Sequence, residues 1–343
     1  MKKNLYIGEF PPPMGGVTVK NELIKNKIYN ADDMDFFDLY SCKRNPLNLL
    51  RLILKIICVK GMIILGVGSN KRLERLMQII KKTRGSKKLN QCSIIMMGST
   101  LQNYAKQNVQ MVSLLRNVKA IFTESRLINA DFQALGIKNT HYFPNCRVLS
   151  HTDYSGKTID VSGVLKLVFF SRICKEKGAH YLFEVVDKLN EAGISVQLDY
   201  YGVIASEYKN EFESDLKRTK NISYRGIFDS SKEDVYQKLN EYDLLLFPTT
   251  WIGEGIPGIL VESKIAGIPA IVSEHNYNSE VVHADKEGIV VSKADIVQSF
   301  TEAIIKIHRM PEMYEKLARG AWESRSRYDI KEYRTELRSG LRM

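Results

Sequence analysis

Two series of six short apolar runs, rich in β-branched and aromatic residues and mostly separated by stretches of helical period, constrain this chain more than any other feature. The first series is Leu5–Gly8, Phe36–Leu39, Met62–Val67, Ile94–Met97, Ala120–Thr123 and Thr140–Phe143. Helical period marks Val17–Ile28, Leu73–Lys82, Leu101–Leu115 and Arg126–Leu135. The second series is Lys166–Ser171, Gln197–Tyr201, Ser223–Arg225, Leu244–Phe247, Ala270–Val272 and Gly288–Val291, with helices predicted over 178–192, 206–219, 232–240, 257–266 and 296–307. Strands alternating with helices fold as doubly wound, mostly parallel sheets. The prediction is α/β: two Rossmann-like domains in tandem, with a ligand cleft between their strand C-terminal ends.

Residues 149–163, "LSHTDYSGKTIDVSG", lack apolar periodicity and read as the linker. The domains are then 1–150 and 163–325, and the segment 326–343, with its helical and basic "YDIKEYRTELRSGLRM", is expected to cross back to the first domain. A chain of 343 residues is long enough for two such cores. Five cysteines without a C-x-x-C pair argue against a disulfide framework or a zinc site and fit a reducing cytosol. "MKKNLYIGEFPPP" starts like a signal peptide, but Glu9 and three prolines stop its short apolar run, and the Asn221-Ile-Ser223 sequon then carries no weight. No window of about 18 residues is free of charge, so no spanning helix is expected. Residues 46–68 read as a basic amphipathic helix running into a buried strand.

Charge is unevenly spread. Residues 1–150 hold 24 Lys and Arg against 9 Asp and Glu, a net of +15; the remainder holds 26 against 30, and the whole chain is +11. The peak is "KRLERLMQIIKKTRGSKK", residues 71–88, a composition suited to nucleic acid, a polyanionic substrate, an anionic membrane or a solvated helix face.

The chemistry concentrates in "FPTTWIGEGIPGILVESKIAGIPAIVSE". A buried strand ends at Phe247, and Pro257 suits the first turn of the next helix because its missing N–H would be unpaired there anyway. Amides of Gly255, Ile256, Gly258 and Ile259 at a helix start make an anion site that glycines leave open. Glu254 and Glu262 stand about two turns apart, too far to share one ion but suited to grip two parts of an extended ligand such as a nucleotide sugar. The competing readings are a favourable charge at a helix start for Glu254 and an exposed helix position for Glu262. Upstream, "SRICKEKG" follows another strand and offers Arg172 and Lys177 to a diphosphate. Gly15 and Gly16 lie between the first strand and helix, without a full G-x-G-x-x-G.

These pieces resemble the retaining glycosyltransferases of family 4, enzymes of the GT-B fold with two facing Rossmann domains. The E-x7-E stretch "EGIPGILVE" and the following "SKIAGIPAIVS" carry most of the likeness, with "SRICKEKG", Gly15-Gly16 and Phe143–Asn145 in support. The resemblance implies that Arg172 and Lys177 bind the donor diphosphate and that the amides of Gly255 to Gly258, through Ile256 and Pro257, hold the distal phosphate. Glu254 would contact the transferred sugar, Glu262 the ribose, and Gly15-Gly16 would close over the phosphates. It implies a retaining, metal-independent transferase with no cofactor beyond its nucleotide-diphosphate-sugar donor. The only D-x-D, Asp33-Met-Asp35, reads as a solvated acidic turn. Many members carry a His after the fourth strand; "IIMMGSTLQNYA" has none, and the six histidines show no ligand spacing. Thr249, Thr250, Trp251 and Ile252 are candidates for sugar choice.

The expected acceptor is a glycan, lipid-pyrophosphate-linked as in bacterial capsule, O-antigen or exopolysaccharide assembly. The expected location is the cytoplasm, with peripheral attachment at the inner face of the cell membrane through residues 46–88 on anionic lipid and binding weakened by salt. A nucleotide-sugar epimerase or a sugar phosphorylase would use a similar cleft. A nucleic-acid-binding protein would explain the basic first half but leave Glu254 and Glu262 without a role, so no nucleic acid is expected as a partner.

Overall fold

The computed structural model describes residues 4–29, 32, 34–149, 154–230 and 232–339. The chain forms two units, Met1–Val148 with Tyr328–Met343, and Leu149–Arg327. In the first unit the strands are β1 (Asn4–Gly8), β2 (Met34–Asp38), β3 (Ile63–Gly66), β4 (Cys92–Ile95), β5 (Ala120–Thr123) and β6 (Thr140–Tyr142), in the order β2-β1-β3-β4-β5-β6. The second unit has β7 (Leu165–Phe170), β8 (Val196–Tyr201), β9 (Ile222–Tyr224), β10 (Leu244–Phe247), β11 (Ala270–Ser273) and β12 (Gly288–Val291), in the order β12-β11-β10-β7-β8-β9. Every pairing is parallel. β1, β3, β4, β5, β10 and β11 are buried along their whole length, which is why they read as unbroken apolar runs.

Each order has one switch point, where the connections stop running toward one edge and begin toward the other: between β1 and β3 in the first unit, and between β7 and β10 in the second. The carboxyl ends of strands flanking such a point leave a crevice that helices do not fill.

The second core packs Leu167, Phe169, Phe183, Leu198, Tyr200 and Leu246 against Phe300, Ile304 and Leu317. The first packs Tyr6, Ile24, Ile64, Phe122 and Phe143 with Ile330 and Leu337 from the chain's last turns. Those turns are tied in by Tyr29 Oη donating to the Leu337 carbonyl at 3.1 Å and Arg338 Nε to the Ile28 carbonyl at 2.7 Å. They form two 3-10 segments, Arg325–Tyr328 and Ile330–Tyr333, before a short helix Arg334–Ser339, rather than one continuous helix.

Other departures have local causes. The helix read over Leu101–Leu115 is two, Leu101–Lys106 and Val109–Arg116, because the Asn108 side chain accepts the Met111 amide and caps a new start. β4 stops at Ile95, two residues before the predicted end, and the freed Met96 carbonyl accepts from Lys20. From Tyr154 onward the expected linker lies on the second unit: Ile159 is in its core and Lys157 Nζ donates to the Tyr242 carbonyl at 2.9 Å. Residues 150–153, including His151, lie outside the described set, as do Lys2, Lys3 and Asp33. Asp35 is not in a solvated turn; it belongs to β2 and pairs with Lys55. Among the described residues no helix is long and apolar enough to cross a membrane.

Candidate functional site

Two loops flank the switch point of the second unit. After β7 the chain makes a 3-10 turn, Lys175–Lys177, and Gly178 then takes a left-handed conformation at φ 75°. A Cβ there would stand 2.2 Å from the Pro248 carbonyl oxygen, so only glycine lets this turn sit on the loop after β10. The predicted helix therefore starts at Tyr181, not near Gly178. The contact is fastened by the Thr250 amide donating to the Glu176 carbonyl at 2.8 Å.

This close approach brings Lys177 to Glu254 across the switch point. The two side chains form a buried ion pair. Thr249, fully buried, donates its hydroxyl to the same Glu254 oxygen at 3.1 Å, and the Lys177 ammonium lies 4.8 Å from the Trp251 ring centre. Thr249 is thus committed to Glu254, whereas Ile252 is exposed. Arg172 is not part of this cluster: its guanidinium is half in solvent and meets Glu207 at 3.5 Å.

The helix after this loop spans Gly258–Ala266, with Pro257 in the capping position and not in the first turn. Its backbone at Pro257 is extended, and the helix ends at Gly267 in the left-handed region. Gly255 and Ile256 lie in the loop ahead of it, and Glu262 sits at its middle, half-buried. Two residues on, Lys264 is fully buried, bonded to Glu287 at 2.6 Å and Ser324 at 3.1 Å. Burial pushes its pKa down to about 8. Burial alone would raise Glu287, but Lys264 and the Arg327 fork, at 2.8 and 2.7 Å, hold it below the usual carboxylate range.

Two residues that sequence reasoning did not single out hold the Glu254 loop. Asn276, at φ 45°, donates its side-chain amide to the carbonyls of Trp251, Ile252 and Glu254 at 3.3, 3.0 and 3.1 Å. His275 Nε2 lies 2.9 Å from the Trp251 carbonyl. The signal was an Asn in the loop after a strand, the residue type that tolerates the left-handed region.

The first unit has its own polar cluster. Arg72 pairs with buried Glu9 across the switch point between β1 and β3. Asn21 donates to the Glu9 and Gly66 carbonyls, both at 2.9 Å, and a Cβ on Gly66 would strike its side chain at 2.2 Å. Lys20, also buried, pairs with Glu124 beyond β5 and donates to the Met96 carbonyl at 3.0 Å. After β4, where the resemblance leads one to expect a His, a small cavity is lined by Gly68, Asn70, Met97, Gly98 and Thr100. Gly15 caps the helix Gly16–Lys27 with an extended backbone, and a Cβ on Gly15 or Gly16 would meet open space. The fold itself requires neither glycine.

A cavity of about 210 Å³ at the other end of helix Gly258–Ala266, between Tyr154, Tyr236 and Trp322, holds none of the predicted residues. Among the described residues no group of three or more His, Cys, Asp or Glu is placed to hold a metal ion.

Comparison with known proteins bears on this geometry. Residues 156–323 match the model of the family described as glycosyl transferases group 1. The chain is 27% identical over 135 residues to Escherichia coli K12 WcaL, a protein assigned to colanic acid biosynthesis as a glycosyltransferase, covering 38% of this chain and 33% of that one. It is 24% identical over 136 residues to an E. coli UDP-Gal:alpha-D-GlcNAc-diphosphoundecaprenol alpha-1,3-galactosyltransferase, covering 40% and 34%. Both alignments span about a third of the relative's length. In three dimensions, Anabaena HepE in complex with UDP superposes over 99% of both chains with a TM-score of 0.76 at 14% identity. The lipopolysaccharide outer core galactosyltransferase WaaB superposes over 99% of both with 0.68 at 16%. The GT-B class of fold is thereby shown.

Proposed function

We propose, on the premise that residues 156–323 belong to the glycosyl transferases group 1 family, that this chain is a retaining glycosyltransferase. It takes a sugar from a UDP-sugar and passes it to a glycan carried on polyprenyl pyrophosphate, in bacterial surface-polysaccharide synthesis. The observation that carries the reading is the buried Lys177–Glu254 pair at the switch point, one loop ahead of helix Gly258–Ala266. The choice of UDP and of the acceptor class draws on the UDP in the HepE complex and on the diphosphoundecaprenol named for the galactosyltransferase.

A buried Lys–Glu pair is a poor device for stability, since desolvation offsets most of its attraction. It is a good device for a polar ligand that divides it. A donor diphosphate draws the Lys177 ammonium and, with Arg172 swung in from solvent, gains neutralising charge where the bond breaks. Glu254 is left to accept from sugar hydroxyls, held in place by Thr249 and by the Asn276 clamp on its loop. The amides around Gly255, Ile256 and Gly258 suit the distal phosphate, and Glu262 a ribose diol.

In the reaction the bond between the anomeric carbon and the phosphate oxygen breaks. The acceptor oxygen bonds to that carbon from the same face, and its proton goes to the departing phosphate oxygen. The protein's task is to stabilise the leaving charge. Arg172 and Lys177 supply it, so transfer proceeds without added metal.

The test is thermal stabilisation by UDP, UDP-glucose, UDP-galactose and guanosine diphosphate, with Glu262→Ala alongside. A uridine-selective rise in Tm that Glu262→Ala loses is expected. No rise with any of the four in folded protein overturns the donor reading. Loss of turnover on chelation overturns metal independence, and a product of inverted anomeric configuration overturns retention.

A further inference from the structure

Leu47–Cys58 forms the longer of the two helices between β2 and β3, after the short helix Tyr40–Arg44, and buries only Leu52 and Ile56 fully. Its opposite side carries Leu47, Leu50, Leu54 and Ile57, whose three- and four-residue spacing puts them in one stripe. They are 69%, 61%, 60% and 39% exposed. A surface helix of a soluble domain normally turns a polar face to water, and a contiguous apolar stripe of this length marks a contact surface.

The surroundings are cationic throughout. No Asp or Glu stands between Asp38 and Glu74 in the sequence. Exposed Lys43 and Arg44 precede the stripe, Arg51 flanks its middle and Lys60 follows it. Arg84 donates to the Ile57 carbonyl, so the end of helix Asn70–Arg84, with exposed Lys81 and Lys82, arrives beside the end of the stripe. Asp38 pairs with Arg44 and Asp35 with Lys55, while Lys43, Arg51, Lys60, Lys81 and Lys82 have no acidic partner among the described residues.

From an apolar ridge inside a cationic rim we infer that Leu47–Cys58 lies in the interface of an anionic lipid bilayer, leucines into the acyl boundary and cations at the headgroups. Two copies of this face would set like charges against each other. A nucleic acid would leave four aliphatic side chains against phosphate, with no aromatic platform for bases. The chain enters this helix from the carboxyl end of β2, so the ridge starts at the edge of the sheet where ligands of such units bind. The inference stands apart from the donor reading.

The experiment is co-flotation of the whole chain with vesicles of phosphatidylglycerol and phosphatidylethanolamine, or of phosphatidylcholine alone, at low and high salt. Anionic vesicles are expected to carry the protein, with binding reduced but not abolished by salt, because the leucines add a contribution that salt does not screen. Leu50→Asp/Leu54→Asp is expected to lower the partition coefficient at least ten-fold at both salts. Arg51→Ser/Lys60→Ser should lower it at low salt only. Both variants, altered only at exposed positions, should keep the Tm and any UDP-induced shift of the parent chain. Absence of binding to anionic vesicles at low salt, or flotation unchanged by Leu50→Asp/Leu54→Asp, overturns the inference. So does a dimer in sedimentation that the leucine variant converts to monomer, since a second copy would then cover the stripe.

Discussion

Each of the two units buries a lysine against a glutamate at the carboxyl ends of its strands, and the two pairs differ in what surrounds them. Lys20 and Glu124 span the sheet from the first helix to the loop after β5, with the Met96 carbonyl as a further acceptor and the Phe143 ring 5.1 Å away. Lys177 and Glu254 face each other across a switch point, on two loops rather than on regular elements. The first arrangement is fixed by a helix and closes a core. The second is held by a glycine contact and an asparagine clamp and sits beside the switch point of its sheet, where the proposed donor would bind. Like chemistry therefore carries different expectations, set by topology.

The sharpest way to break this comparison is to truncate each pair. Lys20→Met and Lys177→Met should each cost roughly 3–5 kcal/mol in urea unfolding, because each leaves a buried carboxylate unpaired. The double variants Lys20→Met/Glu124→Gln and Lys177→Met/Glu254→Gln should recover most of that loss. Only the second should lose sugar transfer, by about 10²-fold or more in kcat. If the first double variant is equally inactive while folded, the distinction between a structural and a functional pair is wrong.

Glycines sharpen it further. Gly178→Ala places a Cβ against the Pro248 carbonyl in a left-handed backbone and should cost about 2–3 kcal/mol in stability. Gly15→Ala meets nothing and should stay within about 0.5 kcal/mol by the same measurement.

A titration probes the back of the second site. Lys264 has a folded-state pKa of about 8 against an ordinary 10.5, so between those values the unfolded chain holds a proton that the folded chain has released. Stability should rise with pH across that window, by at most about 1.4 kcal/mol per unit from this group, and fall back as pH drops through 8. Lys264→Met should remove that slope in pH-dependent urea unfolding. Asn276→Ala, which frees three loop carbonyls, should cost about 1 kcal/mol, with a larger proportional loss in kcat than in KM for the donor.

Much of this was legible in residue order. Ala120–Thr123 and Leu244–Phe247 are strands over the ranges their composition predicts, because runs buried on both faces carry their own signal, and the half-buried edge strand Gly288–Val291 keeps its predicted range as well. The Glu254–Glu262 spacing and the Gly-Ile-Pro-Gly turn marked the helix that the fold places beside the switch point. The break at Asn108 was less legible, since a local side-chain cap competes with an unbroken helical period. The exposed side of Leu47–Cys58 could not be told from its buried side, because both are aliphatic and only packing separates Leu52 from Leu54.

The sequence by itself determined the alternation of strands and helices, the division of charge and the residues of one loop, since these depend on neighbours along the chain. Tertiary structure alone decided that Lys177 meets Glu254, that Arg172 stands apart with Glu207, and that Lys20 reaches Glu124. Each is a choice among partners tens of residues away. It is made by strand order and by backbone approaches as close as Gly178 on Pro248, which local sequence does not encode.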